Sequence, residues 1–596
     1  VSTSEGMPSG SGRPPGPVAA ARRLGDVLAG AGGRLGDVVS PSWLVARVDP
    51  MNFAGALAET AVAVAAHPGT AVTATAQLAG AALRAAADAV PGTRVPGTRV
   101  PGTRAPGARS ADRRHRNPAW EDNPWYALCR REHEVLAGWA RTVVEDVELG
   151  PVARRKLAFL VEQAVVAADP VNWPWSNPDV PAAALRTGGR SVLRGLRNLV
   201  RDVAMNGGMP RQVAADACVV GHDLAATPGA VVFRNDLVEV IQYAPTTPTV
   251  HRTPLLLSPP WINKYYVMDL APGRSFAQWA VEHGRTVFAM SYRNPDGAQR
   301  DLTLSDYLQQ GLFAALDVVE EITGESRADV AALCLGGTLA TAGAAWLAAR
   351  GDRRIASLTL LNTMLDYSEP GPLGVFTDAR TVDRLARRMR ATGYLPASSM
   401  KAVFDALRPA DLVWRYVLDG WWLGEDPPAF DLLAWNVDST RMPAAMHTEY
   451  LAELYVENRL AAGTMELAGE RLDLGAVRCD TYVVGAETDH IAPWRSVYAG
   501  ARLLGGDVRF VLTTAGHIAG VVNPPSARSA HRVGTRPLPA APDDWFAAAA
   551  RRPGSWWEDW AVWAGERAGP QAPPPPLGST AHPAIEEAPG SYVRAG

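Results

Sequence analysis

From about position 229 onward, short apolar runs alternate with longer stretches in which apolar residues recur every three or four positions. The runs at 254–258, 286–291, 330–333, 357–361, 482–485 and 508–513 show little polar alternation. Strands read this way when helices cover both faces of a parallel sheet. Two more runs, 230–233 and 238–243, lie close enough to pair as a hairpin. The pattern predicts an α/β domain over 229–567, with a mainly parallel sheet and no strand-like run across an insertion at about 363–475.

Upstream the period changes. Residues 112–228 read as a mainly helical domain. Val192, Leu193, Leu196, Leu199, Val200 and Val203 lay one apolar stripe along a helix, expected to pack against the rest of the protein. Residues 1–111 are rich in Gly, Ala, Ser and Pro, and are expected to be low-complexity and disordered. The alanine-rich part at 54–90 has room for one or two amphipathic helices. There Val90-Pro-Gly-Thr-Arg94 recurs as Val95-Pro-Gly-Thr-Arg99, Val100-Pro-Gly-Thr-Arg104 and, degenerately, Ala105-Pro-Gly-Ala-Arg109. A Pro-Gly every five residues blocks helix and sheet ladder alike, so this is a linker. Its arginines, with Arg113, Arg114 and Arg116, read as a solvated spacer or as a contact for an anionic surface. The tail, 568–596, contains Pro573-Pro-Pro-Pro576 and is expected to be disordered.

The chemistry concentrates at three strand ends. Asp329-Val-Ala-Ala-Leu-Cys-Leu-Gly-Gly-Thr338 reads as strand, tight turn and small-residue helix, which puts Cys334 at a nucleophile elbow. A thiol ionises far more readily than a serine hydroxyl, so a neighbouring base can make thiolate at neutral pH. Asp489, just past the 482–485 run, is the candidate acid, with Glu487 its nearby competitor. His517 follows the 508–513 run in a glycine-flanked loop and is the candidate base. Nucleophile, acid and histidine thus occur in the chain order of an α/β-hydrolase. The expected oxyanion donors are the backbone N–H groups of Leu335 and Ile262. Asn263, Lys264 and Tyr265 read either as substrate contacts or as support, and His490 as a loop histidine or a group near the substrate.

Many stretches carry a family resemblance. They include Pro118-Ala-Trp120, Asn177-Pro178, Thr187-Gly-Gly189, Pro259-Pro-Trp-Ile-Asn-Lys-Tyr-Tyr266 and Tyr292-Arg-Asn-Pro-Asp296. Others are Leu407-Arg-Pro-Ala-Asp-Leu-Val-Trp414, Trp435-Asn-Val-Asp-Ser-Thr440, Asp489-His-Ile-Ala-Pro-Trp494 and Gly554-Ser-Trp-Trp557. From about Asn117 to Gly565 the chain resembles the polyhydroxyalkanoate synthases, and among them the one-subunit type. It departs at Ala332, where the family's box usually begins with glycine; this puts the elbow's geometry in question.

The resemblance implies an α/β-hydrolase catalytic domain with a cap, and an acyltransferase that polymerises (R)-3-hydroxyacyl-CoA into polyester. CoA would be part of the substrate and the leaving group. Cys334 would carry the acyl chain, and Asp489 would either orient His517 or help activate the substrate hydroxyl. It further implies a homodimer at the surface of a cytoplasmic polyester granule, with granule-associated proteins as possible neighbours. Trp414, Trp421, Trp422 and Trp435 of the insertion read as cap core or as walls of an acyl tunnel. The rival readings are a thioesterase or polyester depolymerase of the same fold, and an inactive granule-binding protein.

Composition trims the remaining classes. A net charge of −3 argues against nucleic acid as a main partner. Four scattered cysteines, none in a C-x-x-C pair, suit a reducing compartment without structural zinc. With no metal-binding or dinucleotide motif in context, no metal or redox cofactor is expected. No uninterrupted apolar run is long enough for a transmembrane segment.

Overall fold

The computed structural model describes residues 53–66, 78–82, 113–214, 218–534 and 537–595. The Pro-Gly-Thr-Arg repeat lies outside the described residues, but Arg114 just after it is no free spacer charge: it pairs with Asp169 at 3.3 Å. Helix α1 (Phe53–Ala66) forms within the alanine-rich stretch. Its Phe53 is buried, stacked on Phe159 at 5.8 Å and edge-on to Phe376 at 6.3 Å. The expectation of disorder throughout 1–111 is therefore corrected for this helix, because one aromatic anchor gives a low-complexity stretch something to bury.

The helical domain then runs through α2 (Pro124–Asp146), α3 (Pro151–Ala168), the shorter α4 (Asp179–Arg186) and α5 (Arg190–Met205). Helix α2 starts where Asn123 accepts the Trp125 N–H at 3.0 Å, with proline at its first position. These helices pack on the insertion. From α3, Lys156 meets Asp378 at 2.6 Å and Gln163 donates to the Ala406 carbonyl at 2.8 Å.

Helix α5 turns the other way from expectation. Its buried residues are Ser191, Gly195, Asn198 and Asp202. Asn198 donates to the Gly420 carbonyl at 3.1 Å, and Asp202 accepts the Trp421 indole N–H at 2.9 Å. A Cβ at Gly195 would collide with the Trp421 carbonyl. The insertion offers the helix backbone carbonyls and an indole N–H, and only small and polar residues can approach and satisfy them. The apolar stripe is left facing outward: Val192 is 50% exposed, Leu193 70%, Leu196 55% and Val200 60%. Leu199 and Val203 are half-buried.

The catalytic domain is built on eleven strands. They are β1 (Gly229–Arg234), β2 (Val238–Tyr243), β3 (Leu255–Ser258), β4 (Val287–Tyr292), β5 (Ala328–Leu333), β6 (Ile355–Leu361), β7 (Asp480–Ala486), β8 (Val508–Thr513), β9 (Ala530–Gly534), β10 (Ala550–Pro553) and β11 (Glu586–Glu587). The order across the sheet is β10-β9-β8-β7-β6-β5-β3-β4-β2-β1-β11. The strands from β8 to β4 pair in parallel and hold the apolar runs; those outside them pair antiparallel. The six parallel strands and the β1–β2 pair match the predicted runs. The edge strands β10 and β11 carry Arg, Glu and Pro instead of an apolar run, as exposed edges do, and β9 beside β10 alternates buried His531 and Val533 with less buried positions.

The tail expected to be disordered is ordered as described. Glu586 and Glu587 pair with Val231 and Ala230 of β1, and Lys264 reaches the Ala595 carbonyl at 2.7 Å. Its prolines preclude an internal ladder but not an edge pairing or side-chain anchoring.

Between β6 and β7 the insertion carries α7 (Ala379–Thr392), α8 (Ala397–Leu407) and α9 (Ala444–Tyr450), while α6 (Leu335–Ala349) follows β5. Trp414 packs on Trp173 at 5.5 Å, and Trp422 donates to the Asn172 carbonyl at 2.8 Å. With Trp421 they bind the cap to the helical domain and are not tunnel walls. Trp435 alone turns toward the nucleophile's side, donating to the Lys264 carbonyl at 2.9 Å. Among the described residues no helix is long and apolar enough to cross a membrane.

Candidate active site

Cys334 stands between β5 and α6 with φ of 52° and ψ of −122°. That left-handed conformation is rare for a side chain bearing a Cβ and marks a forced turn. The turn closes because two glycines follow. A Cβ at Gly336 would sit 2.6 Å from the Pro259 carbonyl oxygen, and one at Gly337 2.7 Å from Thr363 Cγ2. Ala332, two residues before the cysteine, is fully buried and pairs with Ser258 of β3 and Leu360 of β6. The elbow keeps its shape around that methyl group.

Asp489 and His517 come from the loops after β7 and β8. Asp489 Oδ2 lies 2.7 Å from His517 Nδ1. Its other oxygen accepts the N–H groups of Ile491 at 2.8 Å and Ala492 at 2.9 Å, which fixes the carboxylate's direction. Glu487, the competitor, faces Arg532 at 3.7 Å instead. With Nδ1 engaged, the far ring nitrogen is left for the Cys334 sulfur, which is near enough to act on the charge of the ring. Burial opposes a charge on His517, but the Asp489 carboxylate and the Cys334 sulfur outweigh it and raise its pKa to about 10. The structure therefore brings Cys334, His517 and Asp489 together, with His517 hydrogen-bonded to Asp489 and under the influence of the Cys334 sulfur.

The N–H of Leu335 opens α6 and so belongs to the helix's unpaired first turn. Ile262 lies in the loop after β3, whose start packs on Gly336. The cap holds this loop: Thr440 donates to the Trp261 carbonyl at 2.9 Å, Tyr266 to Asp438 at 2.8 Å, and Asn263 bridges to Ser439. Lys264 is buried and directed toward the C-terminal segment, and burial lowers its pKa. Tyr265 is buried near Tyr243 and Asp269. Neither is placed as a substrate contact. His490 is pushed down to about 4 by burial, then by Arg408 and His517 nearby, and is neutral at physiological pH.

Residues that sequence reading missed complete the surroundings. Asn362, at the end of β6, is fully buried with φ of 45° and donates to the His517 carbonyl. An asparagine ending an apolar run was the signal for it. From the cap come Tyr367, Tyr450 and Tyr455, each with its phenol pKa raised by burial and by the Cys334 charge among the further causes. Tyr367 Oη lies 3.0 Å from Thr338 Oγ1, and its ring packs 4.7 Å from that of Tyr455. Nothing in their spacing announced them. All three lie near enough to Cys334 for its sulfur to bear on their phenols.

Comparison with known proteins agrees with this geometry. Residues 111–280 match the family model "Poly-beta-hydroxybutyrate polymerase (PhaC) N-terminus", and 261–524 match that of the alpha/beta hydrolase fold. The Poly(3-hydroxyalkanoate) polymerase of Methylorubrum extorquens is 42% identical over 487 residues, spanning 81% of this chain and 80% of that protein. The Poly(3-hydroxyalkanoate) polymerase subunit PhaC of Rhizobium meliloti (strain 1021) is 42% identical over 487 residues, 81% of this chain and 79% of that protein. The subunit of the same name from Cupriavidus necator is 38% identical over 491 residues, 81% and 83% of the two chains. Likeness that runs from the helical domain through the cysteine elbow to the histidine loop settles the kinship: the chain belongs to the poly(3-hydroxyalkanoate) polymerase family.

Proposed function

We propose that this acyltransferase-type enzyme polymerises (R)-3-hydroxyacyl-CoA through an acyl-cysteine at Cys334, with Asp489 and His517 as acid and base. The observation that carries the reading is a cysteine at a strained elbow, beside a histidine that a buried carboxylate hydrogen-bonds and orients.

In the first step the Cys334 thiolate attacks the thioester carbonyl, and the negative oxygen faces the N–H groups of Leu335 and Ile262. The intermediate collapses, the C–S bond to CoA breaks, and the imidazolium of His517 gives its proton to the departing thiolate. Acylation removes the sulfur's charge, which is one of the influences raising the His517 pKa. The ring therefore holds a proton less tightly once the acyl group is in place, and after protonating CoA it stays in the neutral form that can accept the hydroxyl's proton. In the second step the 3-hydroxyl of another acyl unit loses its proton to His517 and attacks the acyl-cysteine carbonyl. An ester forms and Cys334 leaves as thiolate. Because Asp489 is hydrogen-bonded to His517 and to two backbone N–H groups, we assign it to orienting the imidazole. The family resemblance extends the proposal to a homodimer working at the surface of a cytoplasmic polyester granule.

The test is CoA release from 3-hydroxybutyryl-CoA and 3-hydroxydecanoyl-CoA by the purified protein, with the insoluble product weighed and Cys334→Ser as control. CoA release with polymer, lost in the variant, is expected, and the two substrates rank its chain-length preference. CoA release with only free hydroxyacid would make it a thioesterase.

A further inference from the structure

Helix α5 spends its polar face inward, on the cap, and shows solvent an apolar one. That inversion needs an occupant, because exposed Val192, Leu193, Leu196 and Val200 form a continuous ridge at helical spacing rather than scattered surface residues. Charge points to what it is. Arg190, Arg194, Arg197 and Arg201 recur at steps of four, three and four residues and so form a second stripe. At 100° per residue this stripe runs along one flank of the ridge. The helix's one acid, Asp202, is buried under Trp421 and Arg211, so the outward surface carries only positive charge. A leucine and valine ridge flanked by arginines is the build of a helix that lies in a lipid–water interface. A second copy fits less well, since two such faces pressed together would bring guanidinium groups of like sign against one another.

We propose that the outward face of α5 is a docking surface for an anionic lipid layer, with the apolar ridge inserted and the arginines on the headgroups. The helix lies flat on the protein, so docking would present the enzyme side-on and leave the sheet and elbow in water.

The full-length protein is sedimented with vesicles of phosphatidylcholine alone or with phosphatidylglycerol added. Binding is expected only to the phosphatidylglycerol vesicles, weakening as salt rises. Leu193→Asp with Leu196→Asp should reduce it by more than about tenfold. Each of Arg190→Gln, Arg194→Gln and Arg197→Gln should reduce it by about fivefold. All these positions are exposed, so CoA release in free solution should be unchanged, which also reports that the variants are folded. The proposal is overturned if wild-type protein ignores phosphatidylglycerol vesicles, or if the double aspartate variant binds them as wild type does. It is equally overturned if that variant loses only a subunit contact, seen as a fall in mass on size exclusion with vesicle binding intact.

Discussion

Around Cys334 each neighbour has a separable physical task. Replacing the thiol by a hydroxyl in Cys334→Ser keeps the shape but removes the acidic proton, and CoA release should fall to background. Asp489→Asn keeps the size and loses the charge that most raises the His517 pKa, so CoA release should drop by about 10²–10⁴-fold. The sign of its pH effect follows from linkage. A histidine raised to about 10 in the fold contributes stability that is full below its ordinary pKa, about 6.5, and is lost as pH rises through about 10. The alkaline limb of the rate profile should therefore sit near the raised value in wild type and move to lower pH in Asp489→Asn. An unmoved limb would remove Asp489 from the pair. Asn362→Ala should lower kcat without abolishing it, because the His517 carbonyl loses the amide that holds its loop. Three of these positions were readable from order and spacing along the chain, since Cys334, Asp489 and His517, the proposed nucleophile, acid and base, each follow a strand. The cap tyrosines were not, because their proximity to the thiol depends on how the insertion folds back, while Asn362 left only the mark of an asparagine ending an apolar run.

At the scale of elements, apolar runs located the six parallel strands, whose two buried faces leave a simple mark. Edge strands leave none, because one side faces water and their residues answer to solubility instead. The stripe on α5 shows the corresponding limit for helices. Periodicity gives an axis of amphipathicity, while the direction it faces depends on the partner surface, here the backbone carbonyls and indole N–H of the cap. The seam between helical domain and cap also rests on the pair of buried Lys156 and part-buried Asp378, 2.6 Å apart. Lys156→Met should destabilise the protein by about 1–3 kcal/mol, since it takes the counter-charge from a part-buried carboxylate that keeps its Thr381 donors. Calorimetry would show the loss; a melting temperature equal to wild type would mean the seam does not need the pair. Burial opposes the charge on Asp378, yet Lys156 and Thr381 hold its pKa below the ordinary value. Its contribution is thus present above the usual carboxylate range and lost as pH falls through the lowered value, so acid should loosen this seam.

Across the whole molecule, the chain's end returns to the loop that carries the proposed oxyanion donor Ile262. Strand β11 pairs with β1, Tyr592 donates to the Asn235 carbonyl at 2.6 Å, and Ser591 Oγ donates to the buried Glu239 at 2.9 Å. A few residues later the Ala595 carbonyl receives the Lys264 ammonium. Composition hid this segment because proline-rich chain reads as solvated, and its anchors are single polar contacts with residues over 300 positions away. Deleting 586–596 should leave Lys264 buried without its acceptor and strip Glu239 of three donors, the Ser591 N–H and Oγ and the Tyr592 N–H. Each orphaned group costs about 1–3 kcal/mol, so the melting temperature should fall. Activity should fall further than stability alone explains, since the loop bearing Ile262 loses one of its ties. Lys264→Met in the full chain separates the two effects: it removes the buried charge and the tie while leaving β11 paired. If this variant melts near wild type but turns over more slowly, the tail acts through the loop; if both variants keep wild-type turnover, it is only an edge cover.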